Sequence, residues 1–513
     1  MGGKIEIKTK KRIRGIIAIL MATSLFLTAC GGGESSGGGE GTNNEGTNDG
    51  GGSDNGTNGG PSAGDMAAYQ GVIDRAAELA EDSIFDEVFG DDFEVTDVIQ
   101  WLSWFPIDPY SPTMETFKAR FGTPAGADAP IERISVAYEN RYSRLGTLIN
   151  GGDSPDLFQF EERYWPWGSH TEHFQPVDNI IDFSRPEWDN TRDIMELFEW
   201  GGRNYTAITE LTNSTAILFY RHSIAEGAGL EDPFAMWQRG DWTWDALLDM
   251  VSDFSETNSR WGITGFYTDE AAILSTGTGI LTIEDGLLRN NLDDPRVERA
   301  MDFVRNLATN DFRYPYHILN DFALPYRDFR DGNVLFFNDG PWKYQEQFSR
   351  FARTDNWADD ELRMVPFPRD PQADNDYIRG KQDALMFVHG STNRDGFLAW
   401  TYSMLLAHQD DEMSRQTRAR DKENFGWTDH HLDTLEELRD PADFTLVWDF
   451  KNGIGIDVAC AVSESYVQML TRPVIIEGEP FPGQREAHRG PIEARIREIN
   501  ERARDRMEAA AQQ

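Results

Sequence analysis

The stretch Phe329-Arg330-Asp331-Gly332-Asn333-Val334-Leu335-Phe336-Phe337-Asn338-Asp339-Gly340-Pro341-Trp342 holds a short apolar run, residues 334–337, with glycines on both sides. Such a run between turn residues reads as a strand. Beyond it, Gly340 permits an unusual backbone angle and Pro341 fixes the next one, so the direction of the Trp342 ring is set before a ligand arrives. Similar runs at 95–101, 133–137, 156–160, 216–220 and 384–388 predict further strands. Amphipathic segments lie between them. Thr243 caps a helix over 244–255, with Asp245 and Asp249 near its start, and Asp294-Pro295 supplies the cap and first position of a helix through Leu307. The Ala-, Arg- and Glu-rich tail 491–511 predicts a closing helix, and 66–89 an additional helical stretch ahead of the first strand. Strands followed by helices define an α/β architecture. No internal repeat occurs, and no Gly/Ser linker after Asp65 divides the chain, so its domains are interwoven.

The 513 residues, 39% hydrophobic and 27% charged, suit a globular protein of two to four domains and exclude collagen-like, largely disordered and multispan membrane classes. Aromatic content of 12%, with 15 Trp and 31 Phe, supplies ample core material. Against 48 Lys+Arg stand 88 Asp+Glu, a net charge of -40 that repels phosphate backbones and argues against nucleic acid as a partner.

Residues 1–29 read as an export signal. A basic start (Lys4, Lys8, Lys10, Lys11, Arg12, Arg14) precedes an apolar or small run, 15–29, shorter than the ~20 residues a membrane span needs. Leu27-Thr28-Ala29-Cys30 resembles the lipobox of bacterial lipoproteins, in which the Cys takes the lipid. From Gly31 to Asp65 there is no aromatic or β-branched aliphatic residue, so burial cannot offset chain entropy and 30–65 reads as a lipidated Cys followed by a disordered tether. Its span is about 33 Å, from ~5–6 Å times the square root of residue number. Cys460, in an apolar stretch, is left without a partner and is expected to be buried and inert.

Enzymatic motifs are scarce. Neither His170-Thr171-Glu172-His173 nor His430-His431 has the order of a zinc-protease helix. Asp370, Asp374 and Asp376 lack the frame of a calcium loop and read as a solvated acidic loop. Gly277-Thr278-Gly279 has no third Gly at dinucleotide spacing, and there is no phosphate loop or nucleophile elbow. Paired carboxylates of a glycosidase remain open, since 88 acids form many pairs. Aromatics in loop-like settings stand out instead: Trp101 and Trp104 with Pro106, Trp165-Pro166-Trp167, and Trp342. Rings at strand ends can present flat faces to sugar C–H surfaces while carboxylates and amides bind hydroxyls.

Together the segments resemble the family 1 extracellular solute-binding proteins, the maltose-binding-like sugar receptors of ABC importers. Gly152-Asp153-Ser154-Pro155-Asp156-Leu157-Phe158 is similar to the family's Gly-x-x-Pro-Asp turn into a strand, and Leu218-Phe219-Tyr220-Arg221 to its aliphatic-Tyr-Tyr-Asn strand, with Arg221 in place of Asn. Thr243-Trp244-Asp245-Ala246-Leu247 resembles its Thr-Trp-Asp-Glu-Leu helix start. Phe329 to Trp342 resembles its Phe-x-x-Gly strand and Gly-x-Trp turn, with Leu335-Phe336 replacing Ala-Met; Val365-Pro366-Phe367-Pro368 resembles its proline-containing crossing. The segment 409–449 is longer and more acidic than in the family.

The resemblance implies a type II periplasmic-binding-protein-like fold of two α/β lobes joined by hinge strands, with ligand in the cleft and no catalysis or cofactor. Residues 66–93 form an N-terminal extension, 94–210 and 366–425 one lobe, and 211–365 and 426–513 the other. It carries Phe160 and Trp342 over as cleft aromatics; Trp104, Glu161, Trp165, Tyr267, Asp383 and Trp427 complete the candidate ligand-binding set, and Trp244 is a packing residue. The implied partners are a carbohydrate, an oligosaccharide, and ABC permease subunits, for a monomer lipid-anchored on the extracellular face of the cell membrane. Mass spectrometry of the mature N-terminus is expected to find Cys30 diacylated; a chain beginning at Met1, or one with a free Cys30 thiol, would overturn the anchor.

Overall fold

The computed structural model describes residues 63–90, 92–212, 216–256, 260–314, 323–439, 444–455 and 466–512. The signal segment, Cys30, the tether up to residue 62 and Cys460 lie outside the described residues. Nine strands build two main sheets: β1 (Ile99–Ser103), β2 (Ile131–Ser135), β3 (Leu157–Gln159), β4 (Thr206–Thr212), β5 (Ile217–Arg221), β6 (Trp261–Gly265), β7 (Val334–Asp339), β8 (Leu362–Pro366) and β9 (Lys381–Phe387). The first sheet has the order β2-β1-β3-β9-β4, parallel across β1, β2 and β3, with β9 antiparallel to β3 and β4. The second has the order β8-β5-β7-β6, with β7 parallel to β6 and antiparallel to β5, and β8 antiparallel to β5. The chain leaves the first sheet between β4 and β5 and returns between β8 and β9. Each sheet is therefore the centre of one lobe, and the lobes are joined where strands cross.

Local chemistry explains the elements. Gly152 closes the helix Arg141–Gly151 in a left-handed conformation (φ 79°). The carboxylate of Asp156 then accepts from the Gln100 N–H (2.8 Å), the Asn393 amide (3.1 Å) and the Ser391 hydroxyl (2.5 Å). The Pro-Asp turn thus staples the start of β3 to β1 and to the loop after β9. Thr243 accepts from the Ala246 N–H at 3.4 Å and starts the helix Trp244–Ser255. Trp244 is buried and stacks on Phe303, 4.6 Å between centroids, in the helix Pro295–Thr309 capped by Asp294.

Several expectations shift. The first strand lies at Ile99–Ser103 rather than 95–101, and the second at Ile131–Ser135 rather than 133–137. Strands β4, β6 and β8 lie outside the apolar runs that the sequence marks as strands. The N-terminal extension forms two helices, Ala63–Leu79 and Ser83–Phe89. The acidic segment after Gln409 folds as Asp411–Phe425, which packs on the first of these, and Asp429–Glu437, whose Leu432 and Leu435 enter the core of the second lobe. Asp370 is no part of a solvated loop. It is fully buried, with Arg299 Nε 3.0 Å away and the Gln372 N–H bonded at 3.0 Å, because the helix Pro295–Thr309 brings Arg299 over it.

The closing helix starts earlier than predicted and runs unbroken from Phe481 to Ala510. Asn500 exchanges two hydrogen bonds with the Leu288 backbone, both 2.9 Å, in the hairpin Leu281–Glu284/Leu287–Asn290. On the helix's first-lobe side, Arg495 lies 4.2 Å from the Trp167 ring and Arg506 lies 4.6 Å from the Trp200 ring while donating to the Tyr205 hydroxyl. This helix touches both lobes. Among the described residues no helix is long and apolar enough to cross a membrane.

Candidate functional site

The carboxyl ends of the parallel strands in an open α/β sheet are where ligands bind. Here β1 ends at Trp104, β2 runs toward Tyr138, and β3 delivers Phe160-Glu161-Glu162-Arg163. From the second sheet, β6 delivers Tyr267, and β7 ends at Asp339, two residues before the Pro341-Trp342 pair. Gly265 makes the β6 exit possible: its φ is +118°, and a Cβ there would lie 1.9 Å from the Asn338 carbonyl oxygen.

Trp342 and Tyr267 are half-buried and meet edge to face, centroids 6.2 Å apart at 85°. Lys381 Nζ lies 5.6 Å above the Trp342 ring. The role expected of Gly340 needs correction: its backbone is not left-handed. It is required for space, because the Trp342 ring folds back over it and a Cβ would sit 2.1 Å from the ring. The ring's direction is still fixed by the turn, through contact rather than through an unusual angle.

Glu161 is shaped by Arg141, which is buried beside it. Arg141 Nε donates to Glu161 at 2.5 Å, a second nitrogen does so at 3.2 Å, and the Tyr142 hydroxyl donates to the same carboxylate. The guanidinium plane also covers the Tyr138 ring at 3.6 Å. Across the cleft Arg379 donates to Glu162 beside β3 and to Glu270 of the helix Thr268–Leu274. Lys451 Nζ lies 3.7 Å from Glu270 and 3.8 Å from Asp269. Burial works to raise Glu270, but Arg379 and Lys451 outweigh it and hold the carboxyl down at about 2.

The remaining candidates occupy other settings. Trp104 is buried under Arg141 and against Phe158, and Phe160 packs on Phe198 and on Trp165, which is 1% exposed. These three form packing behind the cleft wall. Trp427 is 2% exposed and stacks on Tyr344, 4.2 Å between centroids, so it is a core residue of the second lobe rather than a cleft residue. Asp383 is fully buried on β9 with Glu210 and His408, their donor atoms within 4.8 Å of one another. Those donor types suit a metal ion, but Arg439, 3.0 Å from Glu210, already supplies positive charge there. Burial pushes His408 down to about 3 and Glu210 up to about 8. Arg141, Arg163, Arg379 and Lys451 had no signal in the sequence: one basic residue among 48 looks like any other until the fold buries it.

Two sheets joined by crossing strands, with polar and aromatic groups facing one another between them, define a cleft-type binding protein. Residues 113–409 match the family model described as bacterial extracellular solute-binding protein; they make up more than half of the chain, and the chain belongs to that family. Its place of work is accordingly extracellular or periplasmic. None of the curated proteins matches the chain in sequence. The fold is similar to that of an ABC substrate-binding protein of Listeria monocytogenes in complex with cycloalternan (TM-score 0.55, 15% identity, 77% of this chain and 98% of that one). It is likewise similar to the galacto-N-biose-/lacto-N-biose I-binding protein of Bifidobacterium longum in complex with lacto-N-biose (0.57, 12%, 80% and 99%) and to UgpB of Mycobacterium tuberculosis in complex with glycerophosphocholine (0.54, 14%, 78% and 98%). At these identities the likeness is one of fold.

Asp339, beneath the Trp342 turn, gives the site a pH signature. Burial pushes its carboxyl up to about 7, against the opposing pull of Lys343 and the Gly340 N–H, with Glu346 adding to the rise. An unfolded aspartate ionises near pH 4, so the unfolded state sheds its proton first and the folded state loses stability as pH rises from about 4 to about 7. Asp339→Asn removes that loss. Thermal melts are expected to show the variant gaining on wild type across this interval; a difference independent of pH would mean that the folded carboxyl is ionised throughout.

Proposed function

We propose that this chain is a lipid-anchored, monomeric receptor that captures a carbohydrate, an oligosaccharide, outside the cell and hands it to the permease subunits of an ABC importer. The observation that carries the reading is the Tyr267–Trp342 pair: two half-buried rings of fixed direction at the strand ends, with the Lys381 ammonium 5.6 Å from the Trp342 ring. The sugar complexes among the structural neighbours support it. In this reading Glu161, Tyr267 and Trp342 touch the ligand, while Trp104, Phe160 and Trp165 back the wall behind them. The lobes divide as 94–210 with 366–425 and 211–365 with 426–513, and the lipobox at Cys30 with the Gly-rich segment after it supports anchorage through a tether.

A surface hydrolase using paired carboxylates is the competing reading. Glu162 and Glu270 face one another across the cleft, and Arg379 sits between them, where a reacting bond or water would have to lie. Incubation with a panel of oligosaccharides separates the two. The chain from Met66 onward, incubated with oligosaccharides, is expected to show a thermal shift and a Trp fluorescence change and to return the sugar intact; cleaved product would establish the hydrolase.

Trp342→Ala tests the platform. A ring covering ~80–100 Å² of sugar surface at about 25 cal/mol per Å² contributes ~2 kcal/mol, so affinity should fall roughly thirtyfold by calorimetry. Folding stability should change much less than the ~3–5 kcal/mol of a buried Trp. Unchanged affinity with a sharply lowered melting midpoint would return Trp342 to the core.

A further inference from the structure

Arg163 lies in the short turn Glu162–Tyr164 directly after β3, half-buried between the lobes. Two nearby guanidiniums have carboxylates bonded to them: Arg141 has Glu161, and Arg379 has Glu162 and Glu270. Among the described residues, none places a carboxylate within ion-pairing distance of Arg163. Its electrostatic surroundings are Tyr138 and Tyr142 from the first lobe, Tyr267 from the second, and Glu161. Glu162 and Glu270 also feel its charge, yet each is bonded to Arg379, and Glu161 is bonded to Arg141 and Tyr142. Tyrosine hydroxyls can accept from a guanidinium but bring no counter-charge. None of its nitrogens is among the buried polar atoms that lack a partner, so the guanidinium stays within reach of solvent, and a fixed cation placed there can meet an anion that arrives from outside.

We propose that Arg163 receives an acidic group of the solute, an oxyanion such as a carboxylate or sulfate carried on a sugar ring, between Tyr138 and Tyr267. This rests on the carbohydrate reading above and narrows it to acidic saccharides. The planar guanidinium suits two-point binding of such a group, and the Tyr267–Trp342 pair stands beside it to take the ring face. The net charge of -40 repels acidic solutes at long range, but screening beyond roughly 8 Å leaves a fixed cation inside the cleft to decide acceptance at contact.

The test is calorimetry on the full mature chain with matched pairs that differ in the acidic group: galactobiose and digalacturonate, glucose and glucuronate, and a disaccharide with and without sulfate. In wild type the acidic member of at least one pair is expected to bind tenfold or more tightly than its neutral partner, and the carboxylate and sulfate pairs identify which oxyanion is read. Arg163→Gln should abolish that preference while leaving neutral-sugar affinity unchanged. Unliganded, the variant should melt no lower than wild type, since the lost charge had no partner. Should it fail to fold, Arg163→Lys, which keeps the charge but not the planar fork, should retain the preference in weakened form. Equal binding of neutral and acidic members, or equal loss of both in Arg163→Gln, would overturn the proposal and leave the carbohydrate reading standing. Failure of every sugar to bind would overturn the carbohydrate reading and the proposal with it.

Discussion

Arg379 reaches a carboxylate beside each sheet, Glu162 on one side and Glu270 on the other, and the way the two lobes face each other depends on this ionic bridge. Removing three charged groups from water is expensive, and the attraction between them repays the cost only when the geometry is good and the remaining polar atoms have partners. A bridge of this kind contributes less to raw stability than to definition: it penalises every arrangement in which one of the three charges is buried without its partners. Lys451 beside Asp269 and Glu270 extends the penalty. The strand ends are consequently brought opposite one another in a single register, and the half-buried rings of Tyr267 and Trp342 acquire a fixed separation from the Glu161 wall.

Small local devices serve that register. Asp156 ties two segments of the first lobe, β1 and the loop after β9, to one carboxylate, so the residues delivered by β3 cannot drift relative to β1. Gly265 and Gly340 give up side chains where backbone or ring needs the space, and each stands two residues before one of the half-buried rings, Tyr267 and Trp342. Elsewhere aromatic area is spent on packing, as in the Phe219, Phe337 and Phe348 group of the second lobe.

What could be read from sequence was what local chemistry decides. The Pro-Asp turn, the Thr243 cap and the Asp294-Pro295 start are short-range devices, and each does in the fold what its residue types dictate. Strands β4, β6 and β8 escaped because their runs, Thr206–Thr212, Trp261–Gly265 and Leu362–Pro366, mix polar residues, glycine or proline with apolar ones; their identity comes from the strands beside them. Burial escaped for the same reason. Trp165 and Trp427 sit among turn residues in sequence yet are enclosed by partners far along the chain, while Trp342, in a similar local setting, keeps part of its ring open. The cleft cations were invisible because a charge becomes informative only when its surroundings are known, as the contrast between Arg141 and Arg163 shows.

The closing helix from Phe481 to Ala510 joins hairpin 281–290 of one lobe to the Trp167, Trp200 and Tyr205 surface of the other. Crossings of the chain let the lobes hinge; a rod fastened on both sides turns that hinge into a clasp. Its first-lobe contacts include partly exposed arginine pairs such as Arg506 with Glu172, weak singly and sensitive to salt. Separation of the lobes must therefore either release those arginines or carry the rod along, and the dwell time of a captured solute becomes a property of residues well away from the solute itself.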